Sequence, residues 1–329
     1  MITVPDPVHR SAESQGPIGR AWLAALPGLV EELCHAWQLT LGEVFEGGKW
    51  AYVARVQVAD RTDAHAHADG ITDAVLKVAL PTQNLARQIE TLTAADGRGY
   101  VRVYRADPAR DALLMEPLGP MLSAAGRPIE HILDVLAATL LEAWQAPPPT
   151  GHPRLDVAAG LIGVLDAPLP PTPTPTPIEP HPSNPAPSYL PQLISLARTL
   201  IERRAAAFNP DTYVLCHGDP HADNALAVPS PRSGAQSGYV FVDPDGFLAD
   251  PTYDLGVSMR GWTDQVLTAA DPVALTRSWS TRLAEATNLD EQAIWEWALI
   301  QRVTTGLHLL RHGHTAEGQA FLASAERLA

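Results

Sequence analysis

The segment YVLCHGDPHADNALAV, residues 213–228, offers a carboxylate at Asp219 and an amide carbonyl at Asn224, five residues later. An apolar run leads into His217-Gly218-Asp219, and a second one follows Asn224. After the polar stretch SPRSGAQSG, Tyr239–Val242 reads as a strand that ends in Asp243-Pro244-Asp245-Gly246. Two such strands meeting over a loop would bring carboxylates and an amide oxygen to one edge. One carboxylate can accept the hydrogen bond of an attacking hydroxyl. The amide oxygen and a second carboxylate can hold Mg²⁺, a hard ion that prefers oxygen. These are the parts that phosphoryl transfer requires. A turn that merely favours Asp and Asn is the competing reading.

A second signal lies upstream. Of 23 basic residues only Lys49 and Lys77 are lysines. Lys77 falls within AVLKVAL, where apolar neighbours make burial of a charge costly unless it is paired. A lysine on the solvent face of a strand is the alternative. Glu90 is the only acidic residue of the following helix before Asp96, so it is the expected partner. Lys49 reads as an exposed turn residue. Gly47-Gly48 falls between two strands, where backbone can approach phosphate or simply turn a hairpin.

The elements that must position these residues follow from periodicity. Residues 17–39 carry apolar positions at near-3.6 spacing, predicting a helix with a break near Pro27-Gly28. Five strands are predicted at 39–45, 50–59, 71–80, 101–106 and 112–117, with a helix at 82–95 between the third and fourth. From 118 onward helices dominate: 128–145, 188–207, 252–267, 272–287, 290–311 and 315–328. The expected class is α+β and bilobed, an antiparallel sheet lobe with one packed helix above a larger helical lobe. The division falls at 1–115 and 116–329. Ten of residues 168–187 are proline, which favours a surface insertion in polyproline II form, although a linker is possible.

Asp219, Asn224 and Asp243 reproduce the order of the protein-kinase catalytic loop and its metal-binding aspartate. HGDPHADN, VDPDG and DPTYDLG together resemble the aminoglycoside phosphotransferase family, which has the protein-kinase fold. CHGDPH, FVDPDGF, YDLGVSMRGW and AIWEWALIQRVTTGL are similar to its streptomycin and hydroxyurea phosphotransferase branch, over about residues 40–312. The resemblance implies that Asp219 is the catalytic carboxylate, supported by His217, and that Asn224 and Asp243 hold Mg²⁺. It implies that Lys77, Glu90, Gly47, Gly48, Glu116 and Leu118 serve ATP, with GTP not excluded, the last two in a hinge after Met115. It implies that Asp254 braces the loop or meets the substrate; a helix N-cap is the other reading of Asp254. Asp245 is a substrate contact or a turn former. Trp262 and Glu296 are substrate candidates, Glu296 against the reading of WEW as core tryptophans around a glutamate.

Composition bounds the partners. A net charge of -14 disfavours nucleic acid and anionic membranes and suits a cationic small molecule. Cys34 and Cys216 make no disulfide framework. The start lacks a signal-peptide pattern and no apolar run is of membrane-spanning length, so a cytoplasmic chain is expected, acting as a monomer or a dimer. His65 and His67 read as a solvated turn, and His308, His312 and His314 as a helix end and surface.

Overall fold

The computed structural model describes residues 2–59, 72–81, 85–149, 157–169, 188–207 and 209–329. The turn carrying His65 and His67 and the proline tract from residue 170 to 187 lie outside the described residues.

Helices α1 (Asp6–Ser14) and α2 (Gly16–Trp37) precede strands β1 (Leu39–Val44), β2 (Ala51–Val58) and β3 (Asp73–Ala79). Then come α3 (Leu85–Ala95), β4 (Val103–Asp107) and β5 (Ala112–Met115). The five strands form one antiparallel sheet in the order β1-β2-β3-β5-β4. In the β2–β3 ladder Val53 is opposite Lys77 and Ala54 opposite Leu76. Directly opposed residues share a face, so the sheet has two distinct sides. Tyr52, Ala54, Val56, Leu76 and Val78 pack with Trp22, Leu26, Val30 and Leu33 of α2. Ala51 and Ala79 belong instead to the core shared with the C-terminal helices, and Val53 packs against it. Lys77 is on that second side.

Helix α2 runs through Pro27 without ending, correcting the expected break. Its continuous apolar stripe against the sheet outweighs the lost backbone bond. Helix α1 was not anticipated; only Val8 and Ala12 are buried on it.

The rest is α4 (Ile129–Ala143), α5 (Val157–Asp166), α6 (Leu190–Ala206), and the short strands β6 (Val214–Cys216), β7 (Ala225–Ala227), β8 (Tyr239–Phe241) and β9 (Phe247–Ala249). Helices α7 (Pro251–Ser258), α8 (Thr263–Thr268), α9 (Pro272–Thr287), α10 (Glu291–Arg311) and α11 (Thr315–Glu326) complete the chain. Strand β6 pairs with β9 and β7 with β8. The expected helix over 252–267 is in fact α7 and α8, separated where Trp262 takes a left-handed φ of 56° after Gly261. Gly256 on α7 lies against α10 so closely that a Cβ would come 2.4 Å from Trp297 Cβ. No helix among the described residues is long and apolar enough to cross a membrane.

Candidate active site

Strand β6 delivers His217, Gly218 and Asp219 to the edge of the helical part, and the paired strands β7 and β8 deliver Asn224 and Asp243. His217 is fully buried. Its Nδ1 accepts from the Asp219 amide at 3.1 Å, so Nε2–H donates to Val242 O at 2.9 Å. The ring stacks on Tyr100 and meets Phe241 edge-on. Burial lowers its pKa, which keeps the imidazole neutral. His217, grouped with Asp219 in the catalytic loop as its support, therefore ties that loop to β8 and does not itself reach the cleft.

Asp254 is also sealed from solvent. Its carboxylate accepts the amides of His217 and Gly218, each at 2.9 Å, and Trp144 Nε1–H at 3.0 Å. Burial raises its pKa, while these donors pull the other way. The bracing reading of Asp254 fits this geometry; the substrate role does not, and the N-cap of α7 is Asp250.

Asp219 is left partly open, with 35% of its side chain exposed, and its Oδ1 accepts from Arg260 at 2.5 Å. His221 Nε2 lies 3.4 Å from its other oxygen. Burial alone would raise the Asp219 pKa, but the His221 hydrogen bond and the Arg260 charge hold it well below the ordinary range. The carboxylate is thus ionised and aimed. Arg260 was not singled out from sequence. Its placement depends on Arg302, whose guanidinium donates to Met259 O and Gly261 O at 2.8 Å. Arg302 is buried and pushed down to about 10 by that burial and by Arg260.

Asn224 donates from Nδ2 to Asp219 O at 3.0 Å, which turns Oδ1 away from that bond and leaves it to accept another partner. Asp243 has a φ of 57°, a left-handed conformation that Asp tolerates better than most residues. Half of its side chain is exposed, and Oδ1 lies 2.6 Å from Lys77 Nζ. Among the described residues no three His, Cys, Asp or Glu side chains converge as a metal site. One amide oxygen and one carboxylate nevertheless suit Mg²⁺, which takes few protein ligands and completes its shell with water and phosphate oxygens. Asn224 and Asp243 fit that ion.

Lys77 is nearly buried and bonds Gln88 Oε1 at 3.1 Å as well as Asp243. Its partner on α3 is therefore Gln88 and not Glu90. Two residues along a helix turn the side chain by about 200°, and Glu90 lies on the exposed side. Between β1 and β2, Gly48 stands over Val53: a Cβ there would be 3.7 Å from Val53 Cγ2 and 3.1 Å from Ala51 O. Because Val53 shares a face with Lys77, the Gly47-Gly48 turn overhangs the lysine's side of the sheet. Lys49 is exposed, as expected.

The stretch after β5 holds Glu116 and Leu118. Glu116 is buried; Oε1 accepts from the Arg102 amide at 2.8 Å and from Arg232 Nη2 at 2.5 Å. Its side chain thus faces protein rather than a ligand. Among the described residues no backbone hydrogen bond engages the Glu116 carbonyl or the Leu118 amide.

Asp245 sits beside Gly218, where a Cβ would come 2.8 Å from its Oδ2, and it is open to solvent on its other side. Dense surrounding protein, then the charges of Asp219 and Asp254, push its carboxyl up to about 6. Trp262 is half-buried at the start of α8, edge-on to Trp279 at 5.8 Å and two residues beyond Arg260. Glu296 stands apart from the cleft groups. It is fully buried, with Arg203 at 2.5 Å and Arg204 at 2.7 Å, so it closes the packing of α6 on α10 instead of meeting a substrate.

No family model matches the chain. It is 27% identical to streptomycin 6-kinase of Streptomyces glaucescens over 330 aligned residues, covering 100% of this chain and 97% of that one. It is 26% identical to hydroxyurea phosphotransferase of Kitasatospora aureofaciens, over 73% of this chain and 62% of that one. In structure it is similar to choline kinase LicA from Streptococcus pneumoniae, with a TM-score of 0.57 at 12% identity, covering 91% of this chain and 96% of that chain. The chain is a small-molecule kinase, similar in sequence to streptomycin 6-kinase and to hydroxyurea phosphotransferase.

Proposed function

We propose that the protein transfers the γ-phosphate of ATP to a hydroxyl of a cationic small molecule, with streptomycin and its 6-hydroxyl as the leading acceptor. The observation that carries this reading is the partly open, ionised Asp219, set beside Asn224 and Asp243 with Lys77 reaching across from β3. Residues 1–115 form the nucleotide lobe in this reading and 116–329 the acceptor lobe.

Asp219 accepts the hydrogen bond of the acceptor hydroxyl and orients its oxygen toward the phosphorus. Because the transition state is loose, orientation matters more than early proton removal. The proton passes to Asp219 Oδ2 as the O–P bond forms and the bond to the ADP leaving oxygen breaks. Lys77 neutralises phosphate charge from the sheet side, and the Gly47-Gly48 turn covers it. Mg²⁺ held by Asn224 and Asp243 would supply charge neutralisation on the phosphate oxygens. Asp245 lies beside Asp219, where it can pair with an ammonium or guanidinium group of the acceptor.

The test is an ADP-release assay with Mg²⁺-ATP and a panel of streptomycin, dihydrostreptomycin, other aminoglycosides and hydroxyurea. Streptomycin phosphorylation that disappears in Asp219→Ala supports the proposal; an untouched streptomycin sinks the acceptor assignment. Burial of Glu296 and Asp254 leaves Asp245 as the free acid beside Asp219, and this favours hydroxyurea or another weakly charged acceptor as the second reading. A resistance role follows if streptomycin is the acceptor and is tested by survival of streptomycin-treated cells expressing the chain; a cytoplasmic setting is tested by fractionating those cells.

A further inference from the structure

The stretch 116–120 is held from behind by a single excursion of the helical part. Strand β7 pins its far end: the Gly119 amide donates to Ala227 O at 2.7 Å, and the Ala227 amide to Pro120 O at 3.0 Å. The chain then leaves β7 as the loop 228–238 and returns as β8. From that loop Arg232 reaches the near end. Its Nη1 donates to Gly97 O at 2.6 Å, and its Nη2 to Tyr100 O at 3.0 Å and to Glu116 Oε1 at 2.5 Å. Both members of the ion pair are about nine-tenths buried. Arg232 Nε has no partner among the described residues, a cost that the other bonds must offset.

The loop is fitted to this place by backbone as well. Gly99 N donates to Gly234 O at 2.7 Å, and Gly234, at a φ of 76°, lies so close to Arg98 that a Cβ would come 2.8 Å from Arg98 Cα. Glu116 is committed on two fronts, since its own amide donates to Arg102 O at 3.0 Å. Between the two pinned ends Pro117 has no N–H, and the Glu116 carbonyl and Leu118 amide remain as backbone groups with no backbone partner among the described residues. A carbonyl acceptor and an amide donor two residues apart, on a segment that cannot swing, match the donor–acceptor edge of a purine base.

We propose that Arg232 is a positioning residue for the nucleotide base, acting through Glu116 to fix the carbonyl and amide that read the base edge. This rests on the kinase reading above. Arg232 touches no nucleotide; it sets where the hinge stands. Losing it should weaken recognition of the base and leave the phosphate end of the site intact.

The experiment compares the full-length wild type with Arg232→Met and Arg232→Lys. Calorimetric ATP binding, steady-state kinetics and competition by inorganic tripolyphosphate are measured on each. The expected result for Arg232→Met is a rise of about tenfold in the ATP Kd and KM, the scale of one oriented hydrogen bond. The preference between ATP and GTP should narrow, while kcat, acceptor KM and tripolyphosphate inhibition stay within about twofold, and Arg232→Lys should recover part of the ATP affinity. A folded Arg232→Met that keeps its ATP KM, or that loses ATP and tripolyphosphate affinity alike, overturns the proposal. Should Arg232→Met fail to fold, Glu116→Gln keeps the acceptor oxygen but removes the charge. It should show the same signature at about threefold, and an unchanged ATP KM there counts against the proposal equally. A wild type that binds no ATP overturns the kinase reading itself and this inference with it, whereas ATP binding by wild type with indifferent variants overturns this inference alone.

Discussion

Asp219 and Glu296 are both carboxylates gripped by arginine, and they do opposite things. Asp219 has Arg260 on one oxygen and His221 3.4 Å from the other, yet about a third of its side chain stays exposed. Glu296 has Arg203 and Arg204 on its two oxygens and no exposure at all. An ion pair with an open edge can still act on a ligand; a closed one only holds helices together. The arginine count around an acid therefore says less about function than the side that is left open.

Asp219→Ala tests the open site most severely. Turnover should fall by about a thousandfold, the scale of a general base, with a melting temperature close to wild type. Retained turnover would mean that another group orients the acceptor. Glu296→Ala should reverse that pattern. It strands Arg204 in the interior, so urea denaturation should show a loss of about 3 kcal/mol, the lower end for a broken buried pair because Arg203 is half in water. Specific activity of the folded fraction should hold within about twofold, and a selective rise in acceptor KM would restore Glu296 to the substrate surface. Arg260→Gln lies between these extremes: it frees one Asp219 oxygen, and kcat should fall by about tenfold with stability little changed. Asp245→Asn is the mildest, with a rise of about threefold in the KM of a cationic acceptor and none for a neutral one.

The two pairs were not equally legible in the sequence. Asp219, Asn224 and Asp243 lie close along the chain, and their spacing alone suggests a chemistry. Glu296 meets arginines 93 and 92 residues away; local pattern shows WEW but not what α6 presents to it. The Lys77 partner was missed for a related reason. Charge chose Glu90, whereas helix phase puts Gln88 on the inner side, and an amide can satisfy a lysine that already has Asp243. Strand positions were readable because alternation on the sheet is strict, with Tyr52, Ala54 and Val56 on one side and Ala51 and Val53 on the other. The division of α7 from α8 was not, because it falls where Arg302, from the distant α10, grips the Met259 and Gly261 carbonyls just ahead of the left-handed Trp262. Arg232 and Arg260 could not be assigned from sequence: Arg260 lies in the YDLGVSMRGW stretch, but nothing local says that it meets Asp219, and Arg232 is one arginine among many until the fold brings it to Glu116.

The scarcity of lysine has a practical side. An amine-directed acylating reagent meets two side-chain amines, one exposed at Lys49 and one nearly buried at Lys77. Apart from the chain's α-amino group, mass spectrometry would have two sites to follow. Lys49 would set the reference rate and Lys77 would report on its surroundings, so a few minutes of labelling could serve as an occupancy gauge for the cleft, with no engineered probe.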